Sequence, residues 1–390
     1  MTLSRRVIVA EPENSETPIN DLRSWVTPNR LFFVRNHFDV PEIDAASWRL
    51  RIGGCVERDL EIGWADIEQL PTRSVFATME CAGNGRSFLD KPVHGVQWGA
   101  GAVGHAEWTG PPLRAVLDQA GLTDQALEIV FAGADRGTEA DHPQTMSFAR
   151  SLPLDKALHE DTLLATTMNG EPLEPAHGFP LRLIVPGWYG VASVKWLTRI
   201  EVSDKPFRGY FQTTKYTTQR QTARGAVEEV VGEMQPKSEI LRPRDGETLG
   251  VGLNRILGAA WAGPDRVTAV EVSTDGGRTW SQAQLAGMSA KYSWALWEYS
   301  WRPDQPGPQR LVSRAISESG RVQPLKHDPL CGGYLIHHSR PVDVEVDATW
   351  ATGEVDYSQQ ALTGALAETT EERSQMKLDV EMKYVDGAGI

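Results

Sequence analysis

From Ser238 onward the sequence falls into short runs that alternate apolar and polar residues and are separated by turn signals. Thr268 to Val272 alternates in this way, and Ser273-Thr274-Asp275-Gly276-Gly277-Arg278-Thr279-Trp280 then supplies a hairpin with Asp-Gly at its tip. A period of two sends successive side chains to opposite faces, so such runs bury their apolar side when two sheets stack. About 110 residues of this kind predict an immunoglobulin-like sandwich.

The preceding half reads differently. From Leu31 to about Val202 short strands mix with a few helices, with no regular βαβ rhythm, which predicts an α+β domain and not a doubly wound sheet. Leu181 to Val185 and Val194 to Val202 alternate as strands do, and Pro111-Pro112-Leu113 through Ala120-Gly121 has the proline start and glycine stop of a short helix. The stretch 203–236 is polar and poorly periodic, a connection over the surface or towards a site. The predicted organisation is an extended lead-in over 1–30, an α+β domain over 31–225, a β-sandwich over 226–346 and an acidic extension over 347–390. The extension ends in Met376 to Val385, which alternates like one more strand.

Composition removes several function classes. The formal charge of -13 argues against nucleic acid as a partner, because phosphate binding needs a basic face. It also requires any anionic substrate to find a locally positive pocket. No apolar run approaches the roughly 18 residues of a membrane span. Ser4-Arg5-Arg6 is followed by no hydrophobic core that an export system could read, so the expected compartment is cytoplasmic. The 3 cysteines, Cys55, Cys81 and Cys331, cannot build a four-thiolate zinc or iron–sulfur site. There is no Cys-x-x-Cys-His and no phosphate loop. Gly99-Ala100-Gly101-Ala102-Val103-Gly104 matches dinucleotide spacing by letter but opens no long helix. The Asp-box pattern at Ser273 to Trp280 occurs once, where a propeller would repeat it.

The chemistry concentrates at Glu80-Cys81-Ala82-Gly83-Asn84-Gly85-Arg86, directly after the strand-like run Ser74 to Met79. A soft thiolate at a strand end suits a soft metal or nucleophilic chemistry. Gly83 and Gly85 allow positive φ and close approach of a ligand, and Arg86 brings a permanent charge that can hold an anion. Four further segments accompany the cysteine. They are Phe32-Phe33-Val34-Arg35-Asn36-His37, Gly95-Val96-Gln97-Trp98-Gly99, His177-Gly178-Phe179-Pro180-Leu181-Arg182 and Ser193-Val194-Lys195-Trp196.

In that order these segments resemble the sulfite oxidase family of molybdopterin enzymes, in its bacterial type without a haem domain. The resemblance covers roughly 30–346. It implies a molybdopterin-binding domain followed by an immunoglobulin-like dimerisation domain, with molybdopterin and molybdenum as cofactors and neither haem nor flavin in this chain. It implies that Cys81 ligates the metal. It assigns Phe33, Val34, Arg35, Asn36, His37, Asp135, His177, Arg182, Ser193, Val194 and Lys195 to the pterin and its phosphate. Arginine forks and lysine suit phosphate, while carboxylate and backbone groups suit pterin N–H donors. Arg35, Arg86 and Trp98 match the family's anion pocket, and Tyr216 the tyrosine beside the reactive centre. Arg340 matches the arginine that the second domain contributes, with local spacing one residue off. The loop after Asp135 differs in length from the family's. Animal members usually carry Arg-Arg where this chain has Gly85-Arg86, which bears on substrate affinity or on the electron partner.

The resemblance implies oxidation of sulfite to sulfate, with electrons passed to a separate acceptor, a cytochrome or oxygen. Reduction of nitrate or another oxyanion by the same cofactor, and a cofactor-free interaction module of the same fold, are the alternatives. A homodimer through the second domain is also implied. Trp297, Tyr299 and Trp301 fall on one side of a predicted strand next to Trp294, and that side faces either a partner or the sandwich core. Leu378, Val380 and Met382 of the extension are expected to add a strand. Trp196 is expected in the core, and His94, His105, His142, His337 and His338 at surfaces or turns. Cys55 and Cys331 read as packing residues.

Overall fold

The computed structural model describes residues 3–22, 24–287 and 289–349. The expected strand in the extension, with Leu378, Val380 and Met382, therefore lies outside the described residues. Within them the chain is mostly β, with three short α-helices, Trp64–Ile67, Leu113–Ala120 and Leu154–Ala157. The middle helix has the predicted bounds: Pro112 caps it, and Gly121 ends it at φ 72, a left-handed conformation that glycine adopts without strain.

The first half is built on two sheets. One has five strands in the order Leu60–Gly63, Arg49–Gly54, Leu197–Ser203, Glu128–Glu139 and His142–Pro153. Leu197–Ser203 runs parallel to Arg49–Gly54 and antiparallel to Glu128–Glu139. Its alternation turns Ile200 and Val202 into the core with Ile52 and Phe131, and a register shift between Leu197 and Arg199 brings Leu197 into the same core. The other sheet pairs Arg73–Glu80 with Val103–Gly110, and the ladder continues one residue further where Cys81 N–H donates to Ala102 O at 2.9 Å. Cys81 is thereby fixed at the strand end. The stretch expected as a lead-in is structural. Arg6–Val9 and Asn14–Glu16 form a three-stranded sheet with Val34–Arg35, and Asn14 Oδ1 accepts from Asn36 N–H at 3.1 Å.

The second half is a two-sheet sandwich. One sheet has the order Lys237–Arg242, Asn254–Trp261, Ala295–Trp301, Gln284–Ala286. The other has Thr248–Gly250, Val342–Asp347, Gly307–Ser317, Val267–Ser273, Ser281–Gln282. The Asp-Gly hairpin forms as predicted, joining Val267–Ser273 to Ser281–Gln282 with Gly276 and Gly277 at positive φ. The aromatic strand faces inward. Trp297 is wholly buried and Trp301 nearly so, Tyr299 packs against the same cluster, and all three meet Ile256, Val270 and Leu311 in the sandwich core. Gly258 lies opposite Trp297, and a Cβ there would come within 2.2 Å of the indole, so the large and small residues are matched across the pair. This face is thus core and not an interface.

Trp294 packs in the core of the first half and exchanges hydrogen bonds with Trp25, Nε1 to O at 2.8 Å and back at 3.2 Å. His105, expected at a surface or turn, is instead wholly buried between the Trp25, Phe76 and Trp294 rings. Burial holds its imidazole neutral by pulling its pKa down to about 3.

Candidate active site

One cleft of about 680 Å³, its open mouth included, gathers most of the sequence-predicted residues. Phe33, Val34, Arg35, Asn36, His37, Cys81, Asp135, His177, Arg182, Ser193, Lys195 and Tyr216 all line it. They come from the ends of separate elements. Cys81 follows Arg73–Glu80, and Val34–Arg35 is the third strand of the N-terminal sheet. Asp135 sits within Glu128–Glu139 where the pairing with His142–Pro153 shifts register. Irregular backbone concentrates here. Trp196 (φ 50) and Tyr216 (φ 56), two of the five described non-glycine residues with positive φ, line the cleft. Such conformations persist only where surrounding contacts hold them.

The inner end is a buried cluster of cations. Arg182 donates to His177 O at 2.9 Å and Ser193 O at 3.2 Å, with its guanidinium 5.0 Å from the Trp108 ring. Lys195 Nζ donates to Asn36 Oδ1 and to Ala176 O, the latter at 3.0 Å. Burial weakens the charged forms. It lowers Arg182 to about 9 and pulls Lys195 well below the usual lysine range, with Arg182 adding repulsion. Burial and the Arg182 charge lower His177 to about 3. Asp135 is raised by burial to about 7, against the pull of Lys195. Three polar atoms here lack any partner among the described residues: Asn36 Nδ2, Asp135 Oδ1 and Arg182 Nε. Buried donors and acceptors of this kind are costly unless a ligand satisfies them. Gly178, at φ 109, lets the turn run close against Arg182 and Lys195, whose Cβ atoms would stand 3.0 and 3.1 Å from an added side chain. The donor set fits a phosphate and a heterocycle with both donor and acceptor edges.

The outer end is aromatic. Tyr216 O–H and His37 Nε2 are hydrogen-bonded at 2.8 Å. Burial raises the phenol above its usual range and holds the imidazole well below its own, so both are neutral near pH 7. Arg35 donates to Asn14 Oδ1 at 3.1 Å and to Asn36 O while lining the cleft.

Four of the expected residues lie elsewhere. Arg86 is 6 % exposed, and its guanidinium is consumed by backbone. Nε and one terminal nitrogen donate to Gly333 O at 3.1 and 2.8 Å, and the other donates to Val96 O at 2.8 Å. A Cβ at Gly83 or Gly95 would fall 2.3 or 2.6 Å from that guanidinium, so glycines form its cradle. Arg340 donates to Glu239 at 3.3 Å and covers the Phe88 ring, lining a different groove. Trp98 and Val194 are fully buried and line no part of the cleft. Trp196, expected only in the core, is both buried and cleft-lining, with Nε1 donating to Pro175 O at 2.8 Å. Met79, Phe148 and Tyr334 escaped sequence reasoning. Met79 and Phe148 read as ordinary apolar strand positions, and Tyr334 belongs to none of the five segments that carry the cofactor motifs. It stacks on Tyr216 with centroids 4.9 Å apart.

Arg86 therefore acts as a strut. Arg86→Gln is expected to lower unfolding stability by about 3 kcal/mol, since it removes charge-assisted bonds to two carbonyls and leaves those carbonyls partnerless. Denaturant titration reads this directly; an unchanged midpoint would mean the strut carries no load.

Comparison with known proteins accords with this geometry. Residues 37–211 match the oxidoreductase molybdopterin binding domain, and residues 228–330 match the Mo-co oxidoreductase dimerisation domain. The chain is 37 % identical to a sulfite oxidase of Gallus gallus over 348 residues, covering 83 % of this chain and 74 % of that one. It is 35 % identical to the mitochondrial sulfite oxidase of Homo sapiens, covering 80 % of this chain but only 60 % of that protein. The crystal structure of the sulfane dehydrogenase SoxCD from Paracoccus pantotrophus superposes with a TM-score of 0.76 at 30 % identity, covering 88 % of each chain.

Proposed function

Because the chain belongs to the sulfite oxidase family of molybdopterin-dependent oxidoreductases, we propose that it oxidises sulfite to sulfate and passes two electrons to a separate acceptor, a cytochrome or oxygen. The carrying observation is the juxtaposition in one cleft of the Cys81 thiol, the Arg35 guanidinium and the Tyr216 phenol above a buried floor of Arg182, Lys195 and Asp135. When bound, the molybdenum–pterin group supplies two-electron redox chemistry at a sulfur-ligated metal.

Each residue has a distinct task. Cys81, fixed at a strand end, would hold the metal through its thiolate. Arg182 and Lys195 would take the phosphate, whose charge offsets the cost of burying theirs. Asn36 Nδ2 and Asp135 Oδ1 offer the pterin a donor and an acceptor. His177 stays neutral and buttresses the turn through Asn29 O, 3.1 Å from its Nε2. Arg35 holds the substrate anion. When His37 carries its proton on Nε2, it donates to the Tyr216 oxygen and frees the phenolic O–H for that anion. The sum of the reaction is sulfite and water giving sulfate, two protons and two electrons. Positioning and charge stabilisation by these fixed groups carry the protein's share of the catalysis.

Molybdenum-loaded protein is expected to reduce ferricyanide or cytochrome c in a sulfite-dependent manner and to show no comparable turnover of nitrate with a reduced viologen. Sulfite inactivity with nitrate activity would reverse the assignment. A homodimer through the second domain accompanies this reading, supported by the match of 228–330. Light scattering returning a mass near 43.0 kDa would exclude it.

A further inference from the structure

We propose that Tyr334, carried by the second domain, faces the substrate, and that a pair of phenols, not a second-domain guanidinium, grips the outer side of a small sulfur oxyanion. The proposal rests on the sulfur-oxidising reading above and concerns the chemistry of its anion site.

Three observations converge on this residue. The loop that carries it is docked on the cysteine turn: Leu335 N–H donates to Ala82 O at 2.9 Å, next to Cys81 in sequence, and Gly333 O accepts two of the three guanidinium bonds of Arg86. The Tyr334 ring lies over that of Tyr216, centroids 4.9 Å apart and planes 31° from parallel, and Tyr216 lines the cleft. The Arg86 guanidinium sits 5.5 Å from the Tyr334 centroid, supporting the ring by a cation–π contact while its N–H groups stay on carbonyls. The Tyr334 side chain is only half-buried, and its hydroxyl has no hydrogen-bond partner among the described residues. A partly exposed ring stacked on the cleft-lining Tyr216, with no bond claiming its hydroxyl among the described residues, is placed to donate to a bound anion.

This changes what the site can select. Guanidinium forks bind the most highly charged oxyanion best and depend strongly on ionic strength. Phenolic donors give directional hydrogen bonds without added charge, and aromatic edges accept polarisable sulfur. The outer site therefore suits sulfur oxyanions whose far end carries less charge or an additional sulfur, as well as sulfite itself.

The test is Tyr334→Phe, which keeps the ring, its stacking and its support by Arg86 while deleting the hydroxyl. Sulfate, the unreactive product, is titrated calorimetrically into molybdenum-loaded protein, and sulfite KM and kcat are measured in parallel. The expected result is sulfate affinity weakened about tenfold and sulfite KM raised about tenfold, the worth of one hydrogen bond to an anion, with kcat within about twofold of wild type. Tyr334→Leu, which also removes the ring, is expected to weaken both further. Sulfate affinity and KM unchanged in Tyr334→Phe would overturn the proposal. If the wild type fails to turn over sulfite, the functional reading fails, yet the sulfate titration still decides whether Tyr334 faces the anion.

Discussion

Cys81→Ser is expected to abolish sulfite turnover, by on the order of a thousandfold or more, while leaving the thermal transition in place. The two side chains have nearly the same shape, and the backbone that fixes the position is untouched: Cys81 N–H still reaches Ala102 O, and Asn84 N–H still reaches Cys81 O at 2.9 Å. What changes is the donor. A thiolate is a soft, polarisable ligand accessible near neutral pH, whereas a serine hydroxyl is hard and remains protonated. Asn36, Asp135, Arg182 and Lys195, proposed to hold the pterin and its phosphate, lie on other elements, so the cofactor is expected to stay bound. Fluorescence of the released pterin after denaturation, measured beside metal content, distinguishes loss of the ligand from loss of the whole group. Near-normal turnover in this variant would remove Cys81 from the metal site.

The cleft was legible in the sequence because its residues are short motifs at element ends, where local backbone and chemistry coincide. Arg35-Asn36-His37, Cys81, His177 through Arg182 and Ser193 through Lys195 each carry their own turn, and folding needs only to bring the turns together. The β-sandwich was legible for a related reason: a period of two is a local signal, and Asp275-Gly276 closes its hairpin where expected. What the sequence withheld is direction. Alternation put Trp297, Tyr299 and Trp301 on one side of a strand without saying which side, and the answer depends on the opposite sheet and on Gly258 across the ladder. Arg86 and Arg340 have the charge an anion site needs. Their guanidinium groups are claimed by Gly333, Val96 and Glu239, partners up to 247 residues away. A long flexible side chain takes its role from whichever acceptor folding brings near it. Tyr334 is the converse case, unremarkable in its sequence context and brought to the site by the loop that Arg86 anchors.

The same long-range dependence sets the largest expected stability effect. Lys237, 1 % exposed, belongs to the first strand of the sandwich, yet its Nζ donates to Glu80 Oε1 at 2.9 Å and to Asn84 O at 3.3 Å, both in the cysteine turn. Glu80 is fully engaged, accepting from Asn84 Nδ2 at 3.0 Å and from Trp261 Nε1 at 2.8 Å. Glu239 stands 3.8 Å from the same ammonium. Lys237→Met keeps the volume of the side chain but leaves the buried Glu80 carboxylate without its cation and Glu239 with Arg340 alone. The expected loss is about 3–5 kcal/mol of unfolding stability, the cost of breaking a buried pair from one side. Because Glu80 and Asn84 flank Cys81, molybdenum content is expected to fall in the same variant even below its unfolding temperature. Adding Glu80→Gln neutralises the stranded carboxylate and is expected to restore part of the loss, which a double-mutant cycle resolves as a coupling between the two positions. If Lys237→Met unfolds at the wild-type denaturant midpoint, the clamp contributes nothing, and the cysteine turn must be held by its own domain alone.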